Sequence, residues 1–379
     1  MLAALKTTAM VPKIDAYTHF AAPELMAFLA EQTGAPPFKQ LFDKIPLLDC
    51  KNLSCVESRI EYMKKEGVVG QILIPLPWIE ACPTVWSNPS LAARACRIAN
   101  EAMAKFCSSA LTSEGKRCFI GVALIPTVNE KVMMEEYKYA IDVLNLVGSA
   151  LFVGPDAVPP DDVRFESLYM LSEINSSPIW LHPCRPQSHA DYSRYSDNGS
   201  MHAIWNSLGW VYDTSVAMVH IALSGVLQRY PKLKIVGHHG GGMIPFFTER
   251  FAVQMSNFNS SLEQQKFDDL KRFYVDTATF GYQPMNIRQC LDFFEEGRVL
   301  FGTDTPMDMA VPGMFTRTAC RSIEDLNLSE SERDCIFFRN CMSFLGPHGN
   351  IFKNHQSDYG VTSESNGNDY KNSNKKAKL

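Results

Sequence analysis

The sequence predicts an α/β fold, a single-domain (β/α)8 barrel of the TIM type. Two observations carry that expectation. Eight short apolar runs rich in β-branched residues recur along the chain, each followed by turn residues and a stretch of helical period. Four of those runs end in histidine or aspartate, and the downstream ends of barrel strands are where such folds build their sites. The 379 residues are 46% hydrophobic and 11% aromatic, which is ample for a core of that size.

Taken in order, the first predicted strand covers residues 13–20. Residues 21–51 are too many for a simple turn and are expected to carry a short helix over the barrel mouth. Ser54 with Glu57 makes a capping-box pattern ahead of Ile60 and Met63, and Gly67 supplies a stop before the strand at 70–76. Asn88–Pro89 caps the stripe of Leu91, Ala95, Ile98 and Ala102, leading to the strand at 119–125. Asn129 opens a helix through Val132, Met133, Ala140 and Ile141, before a strand at 149–153. The fifth strand, 178–182, is followed by an excursion over 185–213 that holds His189, His202, Trp205 and Trp210. A helix from about Val216 is closed by Tyr230–Pro231, and the last three strands are expected at 234–239, 273–277 and 299–303. These boundaries imply an N-terminal extension over 1–10, a barrel over 11–351 and a polar tail over 352–379.

Composition excludes several roles. A net charge of −5 gives no basic footprint for nucleic acid, and no apolar run is long enough to span a bilayer. Eleven scattered cysteines without a C-x-x-C pair read as reduced thiols in an intracellular protein. The tail, with five lysines against three acids and many Asn and Ser, cannot bury a core and is expected to be disordered. Its last residues, Ala377-Lys378-Leu379, resemble the Ser-Lys-Leu peroxisomal address, so the expected location is cytoplasmic or peroxisomal.

The strand-end residues carry the chemistry. Tyr17 and His19 are two apart on the first strand and so share a face. His182 ends the fifth strand, His238 and His239 end the sixth, and Asp304 follows the eighth. Imidazoles with a carboxylate suit a divalent ion such as zinc. Strand alternation predicts that His239 faces the site and that His238 turns away. Arg185, just beyond His182, is a candidate for holding a carboxylate through its planar fork.

The order Tyr17-x-His19, His182-Pro183, His239-Gly-Gly-Gly with Pro245-Phe246, and Gly302-Thr303-Asp304, with Asn340 in the closing helix, resembles the amidohydrolase superfamily. Within it the chain resembles the branch of aminocarboxymuconate-semialdehyde and resorcylate decarboxylases, over almost its whole length. The resemblance implies one divalent metal, zinc or manganese, held by His19, His182 and Asp304. It also implies proton transfer by His239 beside Asp304, and a homodimer in which Arg250 reaches a substrate carboxylate in the neighbouring subunit. Lys51 lies where another carboxylate-binding cation is expected. The implied activity is metal-dependent decarboxylation of a small carboxylated aromatic or muconate-like substrate. The pattern departs from the family at Tyr17, where His or Glu is usual. A neutral phenol, with a reference pKa near 10, is a poorer ligand. Ligation by Tyr17 as phenolate, a hydrogen bond to metal-bound water, and simple space filling all remain open. Two alternatives stand beside decarboxylation: hydrolysis of a lactone or amide by the same metal site, and a barrel that has lost catalysis and serves as a binding protein.

Overall fold

The structure is a computed structural model that describes residues 11–34, 50–76, 82–112, 114–189, 191–192, 199–258, 264–308 and 310–355. The terminal tripeptide, most of the expected tail and the N-terminal extension lie outside the described residues.

Parallel strands form the staves of a barrel. The first half is β1 (Lys13–Phe20), β2 (Val68–Pro75) and β3 (Phe119–Gly121), paired in that order. The second half runs through β4 (Ala123–Leu124), β5 (Ser149–Val153), β6 (Ile179–Pro183), β7 (Ile235–Gly237) and β8 (Tyr274–Val275). The expected strand at 119–125 is thus split. Its two pieces, β3 and β4, are halves of one stave, and Val122 between them donates to Leu73 at 3.0 Å.

The eighth stave is irregular. Residues 299–305 make isolated bridges at both sides, Val275 to Val299 and Thr18 to Thr305, where a regular strand was expected over 299–303. Backbone bonds nonetheless close the ring on both flanks, from Leu300 N to Val275 O at 2.8 Å and from Ala16 N to Phe301 O at 2.8 Å. Asn340 secures this stave from outside, donating to Val299 O at 2.8 Å.

Local signals explain most of the helices. α1 (Pro23–Thr33) follows β1, and α2 (Val56–Glu66) ends where Gly67 adopts φ +70° and returns its N–H to Met63. The capping box expected from Ser54 and Glu57 does not form. Cys55 occupies the cap position with no side-chain bond to the helix backbone, because residues 51–53 make a 3-10 turn that shifts the helix start by one residue. A capping box does form at Ser329 with Glu332, ahead of a short helix. Asn88 caps α3 (Pro89–Ser109), accepting from Ser90 N and Leu91 N, and Asn129 caps α4 (Glu130–Lys138) through Val132 N. α5 (Glu166–Ile174) leads into β6. The helix expected from about Val216 begins earlier. α6 (Trp210–Leu223) starts directly after a π-helical turn at Trp205–Gly209.

The buried core lies inside the ring and between staves and helices. All eight residues of β1 are buried. Phe352, where the polar tail was expected to begin, is fully buried, and its ring fills the space beside Gly70: a Cβ there would lie 2.4 Å from Phe352 Cε1. Phe352 is therefore part of the buried core. Phe352→Ala should lower the unfolding free energy by about 3–5 kcal/mol, read as a lower urea midpoint at unchanged slope. A variant with wild-type stability would show that this ring is not part of the core.

Candidate metal centre

Six titratable side chains meet at the carboxyl ends of the staves. β1 delivers His19, β6 delivers His182, and the end of β7 delivers His238 and His239. Asp276 follows β8, and Asp304 lies in the irregular eighth stave. All six are buried, the most accessible at 4%.

Asp304 is at the centre. Its backbone sits at φ +65°, a left-handed conformation that non-glycine residues rarely adopt, and its N–H is held by Tyr17 O at 2.9 Å. Its Oδ1 lies 2.7 Å from His19 Nε2 and 3.1 Å from His238 Nε2. Burial alone would raise this carboxyl. The facing charges of His19 and His238 overcome it and hold Asp304 well below the usual carboxylate range.

His238 is clamped at both ring nitrogens. Nδ1 donates to Asp276 Oδ2 at 2.5 Å while Nε2 faces Asp304. Burial pushes this imidazole down, but the two carboxylates outweigh it and raise it to about 9. Asp276 also accepts from Gly240 N at 3.0 Å and Ala278 N at 2.9 Å, so it is fixed by the backbone it helps fold.

His182 Nδ1 lies 2.6 Å from Pro183 O. A carbonyl can only accept, so Nδ1 carries the proton and Nε2 is left with a lone pair. Burial, and then the charges of His19 and His238, push His182 well below its ordinary value. His239 behaves similarly, lowered by burial and by the charge of His238. Both of its ring nitrogens are buried with no hydrogen-bond partner.

These orphaned nitrogens and crowded donors fit a metal ion. The ligand atoms of His19, His182 and His238 lie within 4.8 Å of one another, as do those of His238, His239 and Asp304. An imidazole-rich set with one carboxylate suits zinc, manganese or a similar divalent ion.

The structure corrects one sequence expectation here. His238 does not turn away from the site. Strand alternation stops at Gly237, and the chain enters a tight turn in which His239 takes φ +55°, so both imidazoles project to the same side with centroids 3.6 Å apart. The three glycines that follow make this possible. Gly240, Gly241 and Gly242 have φ of +65°, +78° and +66°, and a Cβ on Gly242 would lie 2.4 Å from Val211 O. Tyr17, for which ligation, a hydrogen bond to metal-bound water and space filling were all open, packs against the cluster. Its hydroxyl donates to Leu181 O at 2.7 Å, and its ring stacks on His238 at 3.7 Å with 1° between planes. Burial, with the nearby charges of Asp276 and Asp304, raises the phenol well above its ordinary value.

Arg185 is bound to Asp213, while Arg250, on α7 (Thr248–Phe258), and Lys51 are exposed. Asp276 escaped the sequence reading although it ends the seventh apolar run, by the same rule that found the others.

The profile of the family described as Amidohydrolase matches residues 79–346, more than half of the chain. The chain belongs to the amidohydrolase family. Among curated relatives, this amidohydrolase is 25% identical over 301 residues to a 6-methylsalicylic acid decarboxylase of Penicillium expansum, covering 78% of this chain and 85% of that one. It is 23% identical over 301 residues to a 2-amino-3-carboxymuconate-6-semialdehyde decarboxylase of Dictyostelium discoideum, covering 76% of each. Among solved structures, a dihydroxybenzoic acid decarboxylase of Polaromonas with bound manganese and 2-nitroresorcinol matches with TM-score 0.70 and 21% identity, over 93% of this chain and all of that one. That likeness shows the fold.

Tyr17→Phe tests the geometry. Leaving Leu181 O without its donor should cost about 1–3 kcal/mol of stability, with no change in bound divalent ion measured by elemental analysis. Loss of the ion in this variant would make the phenol a ligand after all.

Proposed function

We propose that this amidohydrolase is a metal-dependent decarboxylase of a small carboxylated aromatic or muconate-like acid. The observation that carries the proposal is His239, a buried imidazole with two unpartnered nitrogens set beside the Asp304 cluster. The activities named for the relatives from Penicillium and Dictyostelium support it.

In this reading His19, His182 and Asp304 hold one divalent ion. The imidazoles suit zinc, and the manganese in the Polaromonas structure makes that metal an equal candidate. When bound, the ion supplies a Lewis acid that draws charge from the substrate as the carboxylate leaves. When carbon dioxide departs, the carbon–carbon bond breaks and its electron pair stays on the ring carbon, so a proton must take the vacated position. His239, whose two ring nitrogens are free, is the group placed to relay that proton from water to the carbon. His238, held between Asp276 and Asp304, stands beside it. Trp210 and Phe280, whose ring centroids lie 6.4 and 5.3 Å from His239, give the niche an apolar border.

Three finer assignments belong to the same proposal. A homodimer in which Arg250 completes the neighbouring site fits the exposure of that residue on α7, beside exposed Phe247 and Val253. A small carboxylate, not a nucleic acid, is the substrate class, in keeping with the acidic chain. Delivery to the cytoplasm or, through Ala377-Lys378-Leu379, to the peroxisome rests on the sequence. No helix among the described residues is long and apolar enough to cross a membrane.

Protein loaded with Zn²⁺ or Mn²⁺ should release CO₂ from at least one member of a panel of hydroxybenzoates and carboxymuconates. Chelation should abolish turnover and re-addition of metal restore it. His182→Ala and Asp304→Asn should lose the ion, whereas His239→Asn should keep it and lose about 10²–10⁴-fold in kcat. Product formation from esters or amides without CO₂, or a metal-free wild-type protein, would sink the proposal.

A further inference from the structure

One ion pair joins the loop after β6 to the start of α6. Arg185 donates through Nε to Asp213 Oδ2 at 2.7 Å and through Nη2 to Oδ1 at 2.6 Å. The side chains are 14% and 5% exposed, and this two-point contact fixes guanidinium and carboxylate in one plane. The remaining nitrogen of the fork, Nη1, donates to His189 O at 2.7 Å, so the guanidinium is committed within the protein. Gly209 provides the space the arginine needs. A Cβ there would stand 2.6 Å from Arg185 Cδ.

Between Gly209 and Asp213 in sequence lies Trp210. Its Nε1 donates to Arg185 O at 3.5 Å, and Trp205 packs edge-on against its ring at 4.8 Å. The indole centroid lies 6.2 Å from the His182 ring and 6.4 Å from the His239 ring, with 32° between the planes of the latter pair. The bidentate pair therefore grips the helix turn that carries the indole, while the carbonyl of the same arginine accepts the indole proton. Orientation is fixed at both ends.

We propose that Arg185 and Asp213 are positioning residues that hold the Trp210 indole as a flat wall beside the histidine cluster, and that this wall selects planar, conjugated carboxylic acids over saturated ones. The proposal rests on the decarboxylase reading above and deepens it. Arg185 then has a different role from the carboxylate clamp expected from sequence: it acts through the tryptophan. A flat, immobile ring stacks on a planar acid and gains less from a puckered one, and an indole free to tilt loses the distinction.

The test is a double-mutant cycle on full-length, metal-loaded protein. The probes are 2,6-dihydroxybenzoate and 6-methylsalicylate as substrates, with cyclohexanecarboxylate as a saturated competitor. Asp213→Asn and Arg185→Gln should raise KM for the aromatic acids about tenfold while kcat stays within about threefold. The preference over the saturated competitor should shrink by the same factor. Trp210→Leu should reproduce both effects, Trp210→Phe should retain most of the wild-type values, and Asp213→Glu should recover part of the loss. In the Trp210→Leu background, Asp213→Asn should add nothing, since its effect passes through the indole. Metal content at the wild-type level confirms that each variant is folded around its site. An equal rise of KM from Asp213→Asn with or without Trp210, or no rise in either, overturns the proposal while leaving the decarboxylase reading intact. A wild-type protein that neither binds nor turns over the aromatic acids overturns that reading and this one with it.

Discussion

The seam between β1 and residues 301–305 is the contact on which the site depends. A barrel of parallel staves holds convergent side chains only when its first and last staves are in register, and here the last stave has no regular strand geometry. Register is instead fixed by three backbone bonds, from Ala16 N to Phe301 O, from Asp304 N to Tyr17 O and from His19 N to Thr305 O, at 2.7–2.9 Å. Asp15 adds a fourth tie, accepting from Thr303 N at 2.9 Å and from Thr303 Oγ1 at 2.5 Å. Its full burial raises the carboxyl to about 7, against the pull of the Thr303 hydrogen bonds, so the tie uses a group that is costly to ionise. His19 and Asp304 come from opposite sides of this seam and meet only because it is closed.

Much of the fold was legible because the staves are two-sided apolar runs separated by helices with recognisable punctuation. Asn88, Asn129 and Gly67 act as their residue types predict. The irregular parts were harder to foresee. The break at Val122 and the loose stave at 299–305 are set by neighbours distant in sequence, such as Leu73 and Asn340. Nothing in a local window reports those bonds.

The site divides the same way. His19, His182, His239 and Asp304 stand at strand ends, a position that a sequence pattern can reveal. His238 was misplaced because alternation was extended past the point where β7 stops and the glycine turn begins. Arg185 was legible as a cation near the mouth but not as one already bound to Asp213, since 28 residues separate the pair. Tyr17 could be recognised as an unusual residue at its position. Only the direction of its hydroxyl, toward Leu181, decides what it does.

The three-ring pile of Tyr17, His238 and His239, at spacings of 3.7 and 3.6 Å, leaves the middle imidazole no room to rotate. With both nitrogens also bound to aspartates, it is a fixed strut and not an adjustable group. The base of the site is thereby a rigid cassette assembled from β1, the turn after β7 and the eighth stave. The aromatic border arises from elsewhere in the chain, from α6 and the loop after β8. The two parts come from different elements, so the border can be varied at Trp210 and Phe280 while the ring pile and its aspartates stay as they are.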